Sequence, residues 1–114
     1  MRLIAALLLI LGAALGQPPT NVSGRWKITV RTPNGNVSED WTLQQKGASV
    51  TGTAKGDRGA LPVSGAIEGA FFRISVKDGQ KEYKVRATVD GDLMDGSITL
   101  GVGDARLWFA KRVK

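Results

Sequence analysis

Glu39 and Trp41 stand two residues apart in a stretch that alternates polar and apolar, so an extended chain puts a carboxylate beside an indole on one face. Trp26, Phe72 and Tyr83 fall on the corresponding face of their own segments by the same period. Together they carry the chemistry of a small-molecule site: ring surface for an apolar body, with a phenol and a carboxylate to orient it. Two arrangements satisfy this parity. The rings line an open cup, or they are the packed core of a narrow interior. Glu39 also has two readings, of which the wet rim is the expected one. Buried, it needs a partner such as Arg112 or a ligand, because a bare carboxylate in an apolar interior is costly; at a wet rim it needs none.

Composition closes most catalytic routes. The chain has no cysteine and no histidine. A thiolate nucleophile, a Ser–His–Asp set and the commonest zinc ligands are therefore absent. The acids fall mostly at turns, no carboxylate pair faces inward for glycosidase work, and no phosphate-loop spacing occurs. Asp90, Asp92 and Asp95 surround one hairpin, where Asp-Gly-Asp reads as a tight turn rather than a calcium loop. The expectation is a protein that is not an enzyme, with no catalytic residue, metal or cofactor.

Cations are the other chemistry available. Arg73 and Lys77 share one face of a segment, and Lys84 and Arg86 one face of the next. If those segments form a hairpin, the four make one outer basic patch; Arg25, Lys27 and Arg31 make a second. The plain expectation is a solvated wall, the functional one an attraction for anionic polymers. Nucleic acid is not expected, since no recognition motif accompanies the charge and Phe71 is the only aromatic nearby.

The elements that must position these residues are legible as a series of strands. Residues 1–16 come first: a short positive start, an apolar run and small residues at 14 and 16, the layout of a cleaved signal peptide. The run stops short of the roughly 20 apolar residues of a membrane span, so no span is expected after cleavage, and the destination is secreted or periplasmic. Losing Arg2 leaves 15 of the 16 basic residues against 10 acidic, a net charge of +5. Residues 17–21, with two prolines, form a linker.

Residues 22–114 read as one all-β domain. Strands are expected at 22–31, 36–45, 48–55, 60–67, 70–77, 81–89, 92–100 and 105–112, separated by glycine-containing turns such as Asn34-Gly35, Asp78-Gly79 and Asp90-Gly91. Pro62 within the fourth predicts a bulge or a late start to pairing. Strand eight is ambiguous, because Leu107 and Phe109 share one face and Trp108 and Ala110 the other. If Trp108 points in, then Phe71, Leu107 and Phe109 become a candidate homodimer surface. Short, evenly spaced strands argue an eight-stranded antiparallel up-and-down meander barrel. Closure removes unpaired edges, which suits an exported domain without disulfides.

Gly24-Arg25-Trp26 resembles the Gly-x-Trp mark on the first strand of the calycin group: lipocalins, fatty-acid-binding proteins and avidins. Such barrels often lay an arginine of the last strand across that tryptophan. The resemblance thus implies a structural Trp26–Arg112 pair held by cation–π stacking. Residues 50–54 are similar to the third strand of avidins, and residues 62–65 more loosely to their fourth. Ala54 stands where avidins have a biotin-contacting tyrosine, and the asparagine and serine of their site have no counterpart after Trp26. The likeness therefore implies the barrel and not biotin. More loosely, the chain is similar to small exported bacterial barrels of unassigned function. By analogy the barrel mouth is expected to bind a small apolar ligand. The alternative is a protein–protein module such as an exported protease inhibitor with residues 17–21 as its arm, although inhibitors of that kind usually carry a disulfide.

Overall fold

A computed structural model of the protein describes residues 20–100 and 104–114; the signal peptide expected at 1–16 and the start of the expected linker lie outside the described residues. Eight strands follow in order: β1 (Gly24–Thr32), β2 (Gly35–Lys46), β3 (Ser49–Gly56), β4 (Gly59–Glu68), β5 (Phe71–Asp78), β6 (Lys81–Asp90), β7 (Leu93–Leu100) and β8 (Ala105–Arg112). Each is antiparallel to the next, and β8 returns to β1, so the sheet closes into a barrel. The closing ladder sets Trp26 opposite Arg112, Ile28 opposite Ala110 and Val30 opposite Trp108. Every expected strand is present, with ends within two residues of those read from the sequence. Among the described residues no helix is long and apolar enough to cross a membrane.

Period-two alternation decides which side chains enter the barrel. Trp26 and Ile28 of β1, Trp41 and Leu43 of β2, Phe72, Ile74 and Val76 of β5, and Val85, Ala87 and Val89 of β6 are all buried. Their neighbours in sequence face water. Strand eight resolves in favour of Trp108 and Ala110 inward, with Leu107 exposed and Phe109 half-buried under Arg31. The Trp108 ring sits 5.3 Å from Trp41 and 6.4 Å from Phe72, centroid to centroid. Three large rings at one height leave no space between them, so this part of the interior is solid core. Pro62 keeps register with Thr53 on β3, and the ladder to β5 begins one residue later, at Val63. Its missing N–H therefore breaks no β4–β5 pair, which is the late start that its position predicts.

The first strand starts later than alternation alone suggests. Val22 and Ser23 leave the ladder, and Gly24 takes φ +126°, a value that L side chains rarely adopt. That bend folds Val22 under the barrel, where it is fully buried. Gln45 supplies the hydrogen bonds that the ladder no longer provides: its side-chain oxygen accepts from the Val22 N–H at 2.7 Å, and its own N–H donates to the Ser23 hydroxyl at 3.0 Å. The Trp26 indole N–H donates to the Val22 carbonyl at 2.9 Å.

Arg112 fastens this floor. Its guanidinium carbon lies 4.4 Å from the Trp26 ring centroid. Its nitrogens donate to Asp92 Oδ1 at 2.9 Å, to the Ser23 carbonyl at 2.8 Å and to the Asn21 carbonyl at 2.9 Å. Lys114 reaches the other Asp92 oxygen at 2.7 Å. Bonding to Lys114, and next to Arg112, holds the Asp92 carboxyl below the ordinary aspartate value. A value depressed in the folded state contributes stability above the unfolded-state value, and that stability is lost as pH falls through the folded one. Asp92→Asn is therefore expected to lower the melting temperature at neutral pH. The difference from wild type should vanish in acid, as followed by thermal melts across pH. An equal gap at all pH values would exclude the ion pairing as its cause.

Candidate functional site

The hairpin turns β1–β2, β3–β4 and β5–β6 gather at the end opposite the floor. There the interior opens into a cavity of about 670 Å³. Its apolar wall comes from Val30, Val37, Leu61, Val76 and Ile98, with Trp41 at its base. These are mid-sized side chains on five different strands, and at this height they do not meet across the barrel. Polar side chains border the apolar wall: Glu39, Tyr83, Arg58, Arg106 and Asp104, with Thr32, Asn34 and Thr99.

Glu39 is half-buried and accepts the Trp41 indole N–H at 2.9 Å. Its carboxylate lies against Gly56 of β3; a Cβ at that position would stand 2.9 Å from Glu39 Oε2. Glu39 does not pair with Arg112, whose nitrogens are taken up by Asp92, Ser23 and Asn21 at the floor. Arg58, in the β3–β4 turn, reaches to the β5–β6 hairpin. It donates to Asp78 Oδ2 at 2.7 Å and to the Tyr83 hydroxyl, and its guanidinium carbon is 4.9 Å from the Tyr83 ring centroid. The bond to Tyr83, with the charge of Asp78 adding to it, raises the guanidinium above its ordinary value, so it stays cationic at any pH the fold survives. Arg106 lies in register with Ile98, on the same side of β8 as Trp108, and is half-buried in the mouth.

The five residues singled out for ligand contact separate into two groups. Trp41, Tyr83 and Glu39 come together at the mouth. Trp26 and Phe72 do not line it: both are fully buried, Trp26 in the floor and Phe72 against Trp108. They are core because the lower barrel is filled by rings. Arg58 and Arg106 were missed. Arg106 follows from parity once Trp108 is known to face in. Arg58 sits in a turn, where no period signals direction.

Arg73 and Arg86 are directly paired across β5 and β6, and Lys84 faces Ser75 one step along, so the outer basic patch is contiguous. Lys77, paired with Glu82, completes it. The proposed dimer surface is not continuous. Phe71 pairs with Thr88, Thr88 with Asp95, and Asp95 with Phe109, which puts two polar side chains between the rings. Thr20 and Asn21, the described part of the linker, are tied to the floor: the Thr20 N–H donates to the Gly69 carbonyl at 2.9 Å, and the Asn21 carbonyl accepts from Arg112.

No family model matches the chain, and no curated protein matches it in sequence. Among solved structures it is similar to a redesigned β-barrel, with a TM-score of 0.64 and 15% identity over 82% of this chain and 92% of that one. At that identity the likeness carries the eight-stranded fold and nothing about activity.

Proposed function

We propose that the protein is an exported, non-catalytic, calycin-like barrel that holds a small apolar ligand in its mouth. The observation that carries this is the cavity of about 670 Å³ above a sealed floor, apolar on its wall and polar where Arg58, Tyr83, Glu39 and Arg106 border it. Its size falls within the roughly 300–1,000 Å³ of ordinary ligand pockets. An elongated ligand would set its body against Val30, Val37 and Leu61 and its polar end at the arginines. The Trp26–Arg112 stack beside Gly24 supports the calycin-like part, and the residues of the leader support export to the periplasm or the medium. An inhibitor-type module would need residues 17–21 to project; Thr20 and Asn21 are instead engaged by Gly69 and Arg112.

The test is titration with a fluorescent fatty acid, read by the probe's own emission and by quenching of Trp41. Saturable binding is expected with a Kd below about 100 μM, near −5.5 kcal/mol. Leu61→Trp, which fills the mouth from the wall, should weaken binding at least about tenfold without lowering the melting temperature by more than a few degrees. No saturable signal with fatty acid or retinoid would overturn the proposal.

A further inference from the structure

We propose that the outer wall of β5–β8 is a docking face for an anionic lipid surface. Two independent asymmetries meet there. The first is charge. Arg73 and Arg86 stand directly opposite one another on neighbouring strands, an arrangement that costs stability in isolation. None of the ion pairs among the described residues involves Arg73, Lys77, Lys84 or Arg86. The strands to either side add no counter-charge at these positions. Ala66 and Ser64 of β4 lie beside Arg73 and Ser75, and Ser97 and Thr99 of β7 lie beside Arg86 and Lys84. The result is a tile of four cations around one acid, Glu82 opposite Lys77. It is neutral beside Arg73, Lys84 and Arg86, with Glu68 and Asp95 in the adjoining row beside Phe71 and Thr88. The cations outnumber the acids, which makes the face complementary to a sheet of phosphates.

The second asymmetry is apolar. The exposed large hydrophobic side chains among the described residues are Phe71, Leu93, Leu100, Leu107 and Val113. Leu100 lines the mouth; the other four belong to β5, β7, β8 and the chain end, and β1, β2, β3, β4 and β6 contribute none. Two of them flank the tile. Phe71, 43% exposed, lies beneath Arg73, whose guanidinium carbon is 5.3 Å from its ring centroid. Leu107, 50% exposed, follows Ser97 in the row that starts at Arg73 and Arg86. A soluble polyanion would gain from the cations alone. A bilayer gains from both, because the cations meet head groups while a ring and a leucine enter the acyl boundary. This face is separate from the mouth and does not depend on what the mouth holds.

The experiment is co-sedimentation of the full mature chain with vesicles of phosphatidylglycerol and phosphatidylcholine in equal parts, against phosphatidylcholine alone. Binding is expected only to the anionic vesicles and is expected to fall steeply with salt. Arg86→Glu removes two units of charge and should weaken binding about thirtyfold. The same substitution sets an acid opposite Arg73, so the melting temperature should hold or rise by about 2–4 °C. Weaker binding by a more stable barrel separates docking from folding. Phe71→Ser combined with Leu107→Ser should weaken vesicle binding about tenfold while leaving retention on heparin unchanged. Equal binding to both vesicle types, or full binding by Arg86→Glu, would overturn the proposal. Full vesicle binding by the serine double variant would also overturn it, identifying the face as a site for soluble polyanions.

Discussion

Trp26→Ala is expected to destabilise the barrel by about 4 kcal/mol, within the usual range for truncating a buried tryptophan. Three losses coincide at this position. The indole is fully buried at the base of the core, so its removal opens a cavity that surrounding strands, fixed by closure, are poorly placed to fill. The Val22 carbonyl loses the indole N–H that it accepts at 2.9 Å. The Arg112 guanidinium loses the ring face on which it lies. Against a total of about 5–15 kcal/mol for a domain, such a loss leaves a marginal fold. Urea unfolding followed by emission of Trp41 and Trp108 measures it. Trp26→Phe keeps a ring under Arg112 and should recover most of the stability, short by about 1 kcal/mol for the hydrogen bond. If Trp26→Ala unfolded within about 1 kcal/mol of wild type, Trp26 would not be what secures the floor.

Gly96→Ala is expected to cost about 3 kcal/mol, the upper end for forcing atoms into a packed interior, and to lower the melting temperature by about 15 °C. Gly96 lies on β7 between Ala87 of β6 and Trp108 of β8. A Cβ built there would stand 1.9 Å from the Arg86 carbonyl oxygen and 2.6 Å from the Ala87 Cα. Both are backbone atoms held in a ladder, so neither yields cheaply. The sheet coils hard enough at this point that the bond which would carry a side chain turns into the neighbouring strand. Gly65 is in the same position on β4, where a Cβ would meet the Arg73 carbonyl oxygen at 2.1 Å. The outward Thr88→Ala serves as control and should stay within about 0.5 kcal/mol. A Gly96→Ala protein melting within about 2 °C of wild type would show that the strand relaxes without cost.

The sequence by itself determined the strands, their turns and their order, because each rests on local chemistry: side chains alternating along one extended segment and glycines at the bends between segments. It also placed Trp26 inside, by parity, and Arg112 near it, through the Gly-x-Trp resemblance. What lay beyond it were properties of several strands at one height. Parity assigns Trp26, Trp41, Phe72 and Tyr83 to the interior alike, yet only Trp41 and Tyr83 reach the cavity. Whether a level is filled depends on the summed volume of residues that are remote in sequence and meet only when the sheet closes: rings at one height, valines and a leucine at another. Side chains outside the alternating pattern were equally silent. Arg58 bonds to Asp78 and Tyr83, and Gln45 to Val22 and Ser23, across 20 or more residues of chain. Those partners are set by closure, because only the third dimension brings a turn of one hairpin against the rim of the next.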